Sequence, residues 1–300
     1  MSGYAVGVIG AGAVGQSVAA LLVQQRWCAR VMIAARTQES AAGLVTDCED
    51  MREITRSSGR TEHAEVAEMR EAHALVVCPR AVFTNTAHCD IRMAGLAANA
   101  PLISGLAREL AGYTGIVIVV TNPVDVLARV FATAVGERAR VYGIGSSTDS
   151  ARYRLALATH HRVPPSAVRG WVIGEHGDAA VICASSTTVN GRSVEVPLEY
   201  VRSQLAARPL RINQGIGRTR CGPAGAVLTA LKKTLGISDG TEVLSVNHDG
   251  VWLGIPLQFA AGHSTVCLPD LDPDEQRQFD AAWTKLDYAF QQIPLGAPSC

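Results

Sequence analysis

Asp149 and Arg152 stand three residues apart in a stretch, Thr148 to His161, whose pattern predicts a helix stopping before Pro164-Pro165. At that spacing the two side chains share a helical face and can project into one cleft. The carboxylate suits an imidazole and the guanidinium suits a carboxylate. His176 offers the imidazole, in Gly174-Glu-His-Gly-Asp178 directly after the apolar Trp171-Val-Ile173. A histidine titrates where it can give a proton to a carbonyl oxygen as hydride arrives at the carbon, which is the chemistry of reducing a 2-oxo acid. Asp149 is expected to accept the other ring N–H, fixing the tautomer and raising the imidazolium pKa. Arg152 is expected to grip the substrate carboxylate through two parallel bonds. Asn122, in Thr121-Asn-Pro-Val-Asp125 after the run Ile116 to Val120, falls at a strand C-terminus and is expected to donate to the substrate oxygen.

A second group of residues could hold the other reactant. Gly10-Ala-Gly12-Ala13-Val14-Gly15 is a GxGxxG that follows an apolar run, Tyr4 to Ile9, and opens a stretch of helical spacing from Val14 to Gln25. Gly10 permits a tight turn, Gly12 lets the backbone approach a pyrophosphate, and Gly15 lets helix and strand pack closely, while Ala13 and Val14 lie at the helix start whose free N–H groups attract an anion. The fingerprint usually continues with an acidic residue about twenty positions on. Here the second strand ends Ile33-Ala-Ala-Arg36-Thr37 with no carboxylate. Arg36 could pair with a 2′-phosphate, so NADP(H) is expected over NAD(H). The alternative is a solvated strand-end charge, with the ribose held by backbone groups.

Taken in order, the glycine loop, the asparagine segment, the Asp/Arg helix and the histidine loop resemble the lactate/malate dehydrogenase superfamily. The resemblance runs from Gly10 to Gly254-Ile-Pro256 and the last helix. It implies a Rossmann-type fold and homodimers or homotetramers. It also implies a mobile arginine that polarises the carbonyl, matched by Arg92, since the Arg92 to Asn99 interval is the family's. Asn99 is thereby expected beside the cofactor. The preceding segment, Cys78-Pro-Arg-Ala81, departs from the family's small turn and carries two extra residues. The substrate-selecting position, six before Arg92, reads Thr86, with Thr84 and Asn85 equally possible. No arginine of the malate type is evident there. Thr219, in Gly217-Arg-Thr-Arg-Cys-Gly-Pro223, falls where lactate-type enzymes have threonine. Its neighbours Arg218 and Arg220 are either exposed or, if one faces inward, suited to a second anionic group. Arg80 is either a cofactor contact, a stand-in for the missing arginine or a solvated charge.

The elements that must position these residues are legible in part. Short β-branched runs at Tyr4–Ile9, 31–33, 74–78 and 116–120 alternate with helical stretches, which argues a parallel doubly wound sheet, an α/β fold. Strand-like pieces at 180–185, 242–246 and 265–268 and a final helix over 273–292 suggest an α+β substrate domain. The expected division is 1–145 for the dinucleotide and 146–300 for the substrate.

Composition excludes other classes. The chain has 300 residues, 48% of them apolar and 18% charged, enough for a large core and unlike a disordered chain. Lys plus Arg and Asp plus Glu number 27 each, so there is no net charge to attract nucleic acid or an anionic membrane. Eight scattered cysteines show no metal spacing and read as reduced, individually packed thiols. With no signal or membrane segment evident, a cytoplasmic protein is expected. The reading is an NADP(H)-dependent oxidoreductase reducing a 2-oxo acid. Its alternatives are an NAD-dependent lactate or malate dehydrogenase and a nucleotide-binding redox sensor without turnover.

Overall fold

The computed structural model describes residues 3–84 and 90–294. Its first half alternates strand and helix: β1 (Tyr4–Ile9), α1 (Ala13–Val23), β2 (Cys28–Ala34), α2 (Gln38–Thr55), β3 (Arg60–His63), β4 (Ala74–Val77), α3 (Leu96–Glu109), β5 (Ile116–Val119), α4 (Val124–Val135) and β6 (Arg140–Gly143). These six strands are parallel and lie in the order β3-β2-β1-β4-β5-β6. The winding reverses between β1 and β4, so a crevice opens beyond their C-terminal ends, where such folds bind ligands.

The strands are apolar throughout because both faces are covered. Along β4, Ala74 and Val76 join one core while Leu75 and Val77 join the other, and β5 divides the same way, Ile116 and Ile118 against Val117 and Val119. That is the alternation a pleated strand imposes, with both sides dry.

The second half begins with α5 (Ser146–His161) and continues with β7 (Val168–Arg169), β8 (Val172–Gly174), β9 (Ala180–Ile182), β10 (Thr188–Val189), β11 (Arg192–Ser193), α6 (Leu198–Ile216), α7 (Cys221–Thr234), β12 (Gly240–His248), β13 (Val251–Ala260), β14 (His263–Val266) and α8 (Pro273–Gln291). β12 extends the main sheet antiparallel to β6 through Ser245 and Gly143, and β13 meets β8 through Gly254 and Gly174. β7, β10 and β11 form a separate three-stranded sheet.

Several expected boundaries move. The helix expected from Thr148 starts two residues earlier, the strand expected over 180–185 ends at Ile182, and the one expected over 265–268 lies at His263–Val266. In the first of these, Gly145 gives the turn room: a Cβ there would sit 2.5 Å from the Cβ of His176. β3, β6, β10, β11, β13 and α6 are not among the expected elements. Among the described residues no helix is long and apolar enough to cross a membrane, and no cluster of side chains suits a metal ion. The described cysteines are free, but Cys221 and Cys267 are exposed rather than packed.

Candidate active site

The crevice at the end of β1 is shaped by its glycines. Gly10 has φ +114°, and a Cβ on it would lie 2.8 Å from the nitrogen of Pro79. A Cβ on Gly15 would overlap the carbonyl oxygen of Gly10, so α1 can pack this close to β1 only with glycine there. Gly12 differs: it is exposed, and a Cβ on it would meet nothing within 4 Å. α1 starts at Ala13 and Val14 with no side-chain cap and no acidic residue in its first turn, leaving its N–H groups free for an anion. These residues fit the pyrophosphate of a dinucleotide.

Arg36 lies just past β2, exposed, with Nη2 donating to the carbonyl of Arg80 at 2.8 Å. Both arginines therefore sit on one rim of the crevice. The Arg80 guanidinium itself rests 4.5 Å from the Phe83 ring centroid. Asn99 has another role from the one expected. It is buried, its Oδ1 accepts from the Ala81 N–H at 2.8 Å, and its Nδ2 donates to the Asn122 carbonyl at 2.9 Å. It ties together the two loops that wall the crevice and does not face it. The Asn122 side chain is exposed beyond the end of β5.

At the far end of the crevice, α5 and the loop after β8 bring the expected chemistry together. Asp149 Oδ2 lies 2.5 Å from His176 Nδ1, and its Oδ1 accepts from Arg152 Nη1 at 3.1 Å. Arg92 Nη2 is 4.0 Å from the same Oδ1. Asp149 and Arg152 are buried, and the His176 side chain is 9% exposed. One carboxylate thus orients a histidine and an arginine, with a second arginine beside it. Thr219 lines the adjoining cleft with Arg152. Arg218 is exposed. Thr86 and Asn85 lie outside the described residues, and Thr84 is exposed.

Burial and charge set the protonation states. Burial alone would push the Asp149 carboxyl up, but the His176 and arginine charges around it hold it at about 2. For His176 the expectation was a raised pKa, and the net direction is down. Burial disfavours the imidazolium most, Asp149 favours it, and Arg92 and Arg152 oppose it. The resting imidazole is therefore neutral near pH 7, with Nδ1–H donating to Asp149 and Nε2 free.

The structure also adds residues that spacing did not single out. Asp125 Oδ2 accepts from the His176 backbone N–H at 2.7 Å, the Ser245 hydroxyl acts on the same carboxyl, and burial pushes it up to about 7. Glu175, beside His176, is buried and paired with Lys285 Nζ at 2.8 Å. The same ammonium is 2.8 Å from Asp90, two residues before Arg92, and the Asp90 N–H donates to Asp178 at 2.8 Å. Glu175 and Asp178 flank His176 in the chain, so the motif carried a signal for them. Lys285, on α8, carried none.

The sequence matches the family model for the lactate/malate dehydrogenase NAD binding domain over residues 4–143. An L-lactate dehydrogenase of Treponema denticola is 28% identical, the alignment covering 96% of this chain and 98% of that one. Two crystal structures share the fold. The minor L-lactate dehydrogenase of Enterococcus mundtii superposes with a TM-score of 0.89 at 22% identity, covering 98% of this chain and 99% of that one. Malate dehydrogenase of Plasmodium falciparum does so with 0.87 at 17%, covering 96% and 98%. Residues 4–143 thus match the nucleotide half of the lactate/malate dehydrogenase superfamily, and the chain aligns with an L-lactate dehydrogenase over nearly its whole length.

Proposed function

We propose that the protein is a 2-hydroxy acid dehydrogenase working chiefly as a 2-oxo acid reductase, with residues 1–145 holding the nucleotide and 146–300 the substrate. The observation that carries this is Asp149 engaging His176 at 2.5 Å and Arg152 at 3.1 Å in one buried cleft. A proton donor and a carboxylate anchor oriented by one group are what 2-oxo acid reduction needs, and a nucleotide binder without turnover has no use for them.

A bound nicotinamide would supply or take the hydride, and the chain's residues do the rest. Arg152 grips the substrate carboxylate, which fixes the ketone relative to His176. Docking of that anion cancels positive charge from Arg152 and Arg92, removing two of the influences that disfavour the imidazolium. His176 then takes up a proton and delivers it from Nε2 to the carbonyl oxygen, while Arg92 and Asn122 polarise that oxygen. In the reverse direction Nε2 accepts the hydroxyl proton.

For the nucleotide we favour NADP(H), because Arg36 rather than a carboxylate follows the end of β2 and Arg80 stands beside it. NAD(H) is the second reading. It is favoured by the Arg36 guanidinium already donating to a backbone carbonyl and by the NAD-binding description of the matched family model. Fluorescence titration with NADPH and NADH, followed by absorbance loss on adding 2-oxo acids, tests both statements. A tighter NADPH complex supports Arg36 as the 2′-phosphate partner, and a tighter NADH complex removes that role. Nucleotide binding with no turnover of any 2-oxo acid would leave a redox sensor as the reading.

A further inference from the structure

Beside Arg152 the cleft widens into a cavity of about 650 Å³ between α5, α6 and α7, ample for more than a three-carbon acid. Its charge is one-sided. Arg152, Arg154, Arg208 and Arg220 line it, and Glu242 is the one carboxylate among its described lining residues. Glu242 is already paired with Lys233 at 2.8 Å and acts on Arg154. Arg152 has Asp149. Arg208 and Arg220 are both half-buried, and neither has a carboxylate partner among the described residues. Arg220 Nη2 donates to the Ile216 carbonyl at 3.1 Å, and its Nε is buried without a hydrogen-bond partner. Arg208 is near enough to Arg152 for its charge to disfavour the protonated guanidinium there. Between these cations the wall is apolar, formed by Leu155, Ile212, Ile216 and Ala226.

Two half-buried guanidiniums with no carboxylate partner, one of them with a buried and unpartnered Nε, are available to pair with a ligand anion. A substrate with one carboxylate uses Arg152 alone and leaves them unpaired. We propose that Arg208 and Arg220 form a second anion subsite, so that the substrate is a 2-oxo acid whose apolar chain ends in another anionic group. The inference rests on the 2-oxo acid reading above. It puts the second cationic contact on α6 and the start of α7 rather than at the position six before Arg92.

The test compares 2-oxo acids of equal length with and without an anionic end: 2-oxoglutarate against 2-oxopentanoate, and 2-oxoadipate against 2-oxohexanoate. Each is assayed with the preferred nucleotide in the wild type, Arg208→Gln, Arg220→Gln and the double variant, with melting curves to confirm folding. Wild-type kcat/KM is expected to favour the anionic tails by about 30-fold or more. The double variant should lose roughly 10- to 100-fold on them, the range for charged hydrogen bonds, and under about threefold on the neutral tails. Arg220→Lys keeps the charge and should retain part of the preference, which serves if the glutamine variants fold poorly. A wild-type preference for neutral tails, or equal losses on both kinds, overturns the subsite. Turnover of no 2-oxo acid overturns the dehydrogenase reading instead. Calorimetry with glutarate against pentanoate then judges the subsite alone, which stands if glutarate binds and the double variant loses it, and falls otherwise.

Discussion

The proposed nucleotide site around Gly10 to Gly15 is shaped by backbone, whereas the proposed substrate site around Asp149 is built of side chains. In the first region the critical atoms are absent ones: a Cβ on Gly15 would overlap Gly10, while one on Gly12 would occupy open space. In the second, a buried carboxylate holds His176 and Arg152, and a second carboxylate, Asp125, holds the His176 backbone. The backbone site is local, built within six residues. The side-chain site is assembled from α5, the loop after β8 and the segment leading to α3, so its electrostatics depend on burial that no single segment supplies. The two regions should therefore fail separately, the first through shape and the second through charge.

The sharpest separation is His176→Ala. Turnover should fall by roughly two to four decades, the range for a positioned acid or base, while nucleotide affinity stays within about twofold. Loss of nucleotide binding in step with turnover would show that the two regions are not separable. In the wild type, reduction should also slow as pH rises above the depressed His176 pKa if, as proposed, the imidazolium is the proton donor. A rate that climbed with pH over that range would contradict the assignment.

Asp125 gives the next largest effect, on stability. Its carboxyl titrates near 7 when folded and near 3.8 when unfolded, so between those values the folded chain keeps a proton that the unfolded chain has lost. Stability from this group is complete below pH 4 and is lost as pH rises through 7. Asp125→Asn removes that dependence and should gain about 2 to 4 kcal/mol relative to the wild type at pH 8. Melting temperatures of the two proteins from pH 5 to 8 measure it, and parallel curves would mean the carboxyl is not raised.

Arg152→Lys should cost about 2 to 3 kcal/mol in kcat/KM, nearly as much as Arg152→Ala, since a point ammonium cannot reproduce the planar fork. Full activity in the lysine variant would end the carboxylate-anchor role. On the other side of the comparison, Gly15→Ala should destabilise the fold by about 1 to 3 kcal/mol through overpacking against Gly10. Gly12→Ala should change stability by under about 0.5 kcal/mol yet weaken nucleotide binding, because its Cβ fills the space the pyrophosphate needs. Denaturant melts beside nucleotide titrations distinguish them; a Gly12→Ala protein that binds normally would place the pyrophosphate elsewhere.

The features legible from residues alone are those carried by short-range geometry. A strand, GxGxxG and helix can be read because Gly15 must clear Gly10 five residues before it, and β4 and β5 can be read because strands covered on both faces must be apolar throughout. Asp149 and Arg152 were legible as a pair since three residues on a helix set a shared face, and the motif after β8 marked His176. Tertiary structure decided the rest. α6 buries only Val201 and contains Pro209, so its sequence shows no apolar stripe to announce it. Arg208 therefore had no visible destination until α6 was laid against α5. Asn99 passed for a cofactor contact because an interval in the chain does not say which way an amide faces. The direction of the His176 pKa turned on competition between burial and Asp149, and burial is a property of the assembled fold, made by every segment packed around the group.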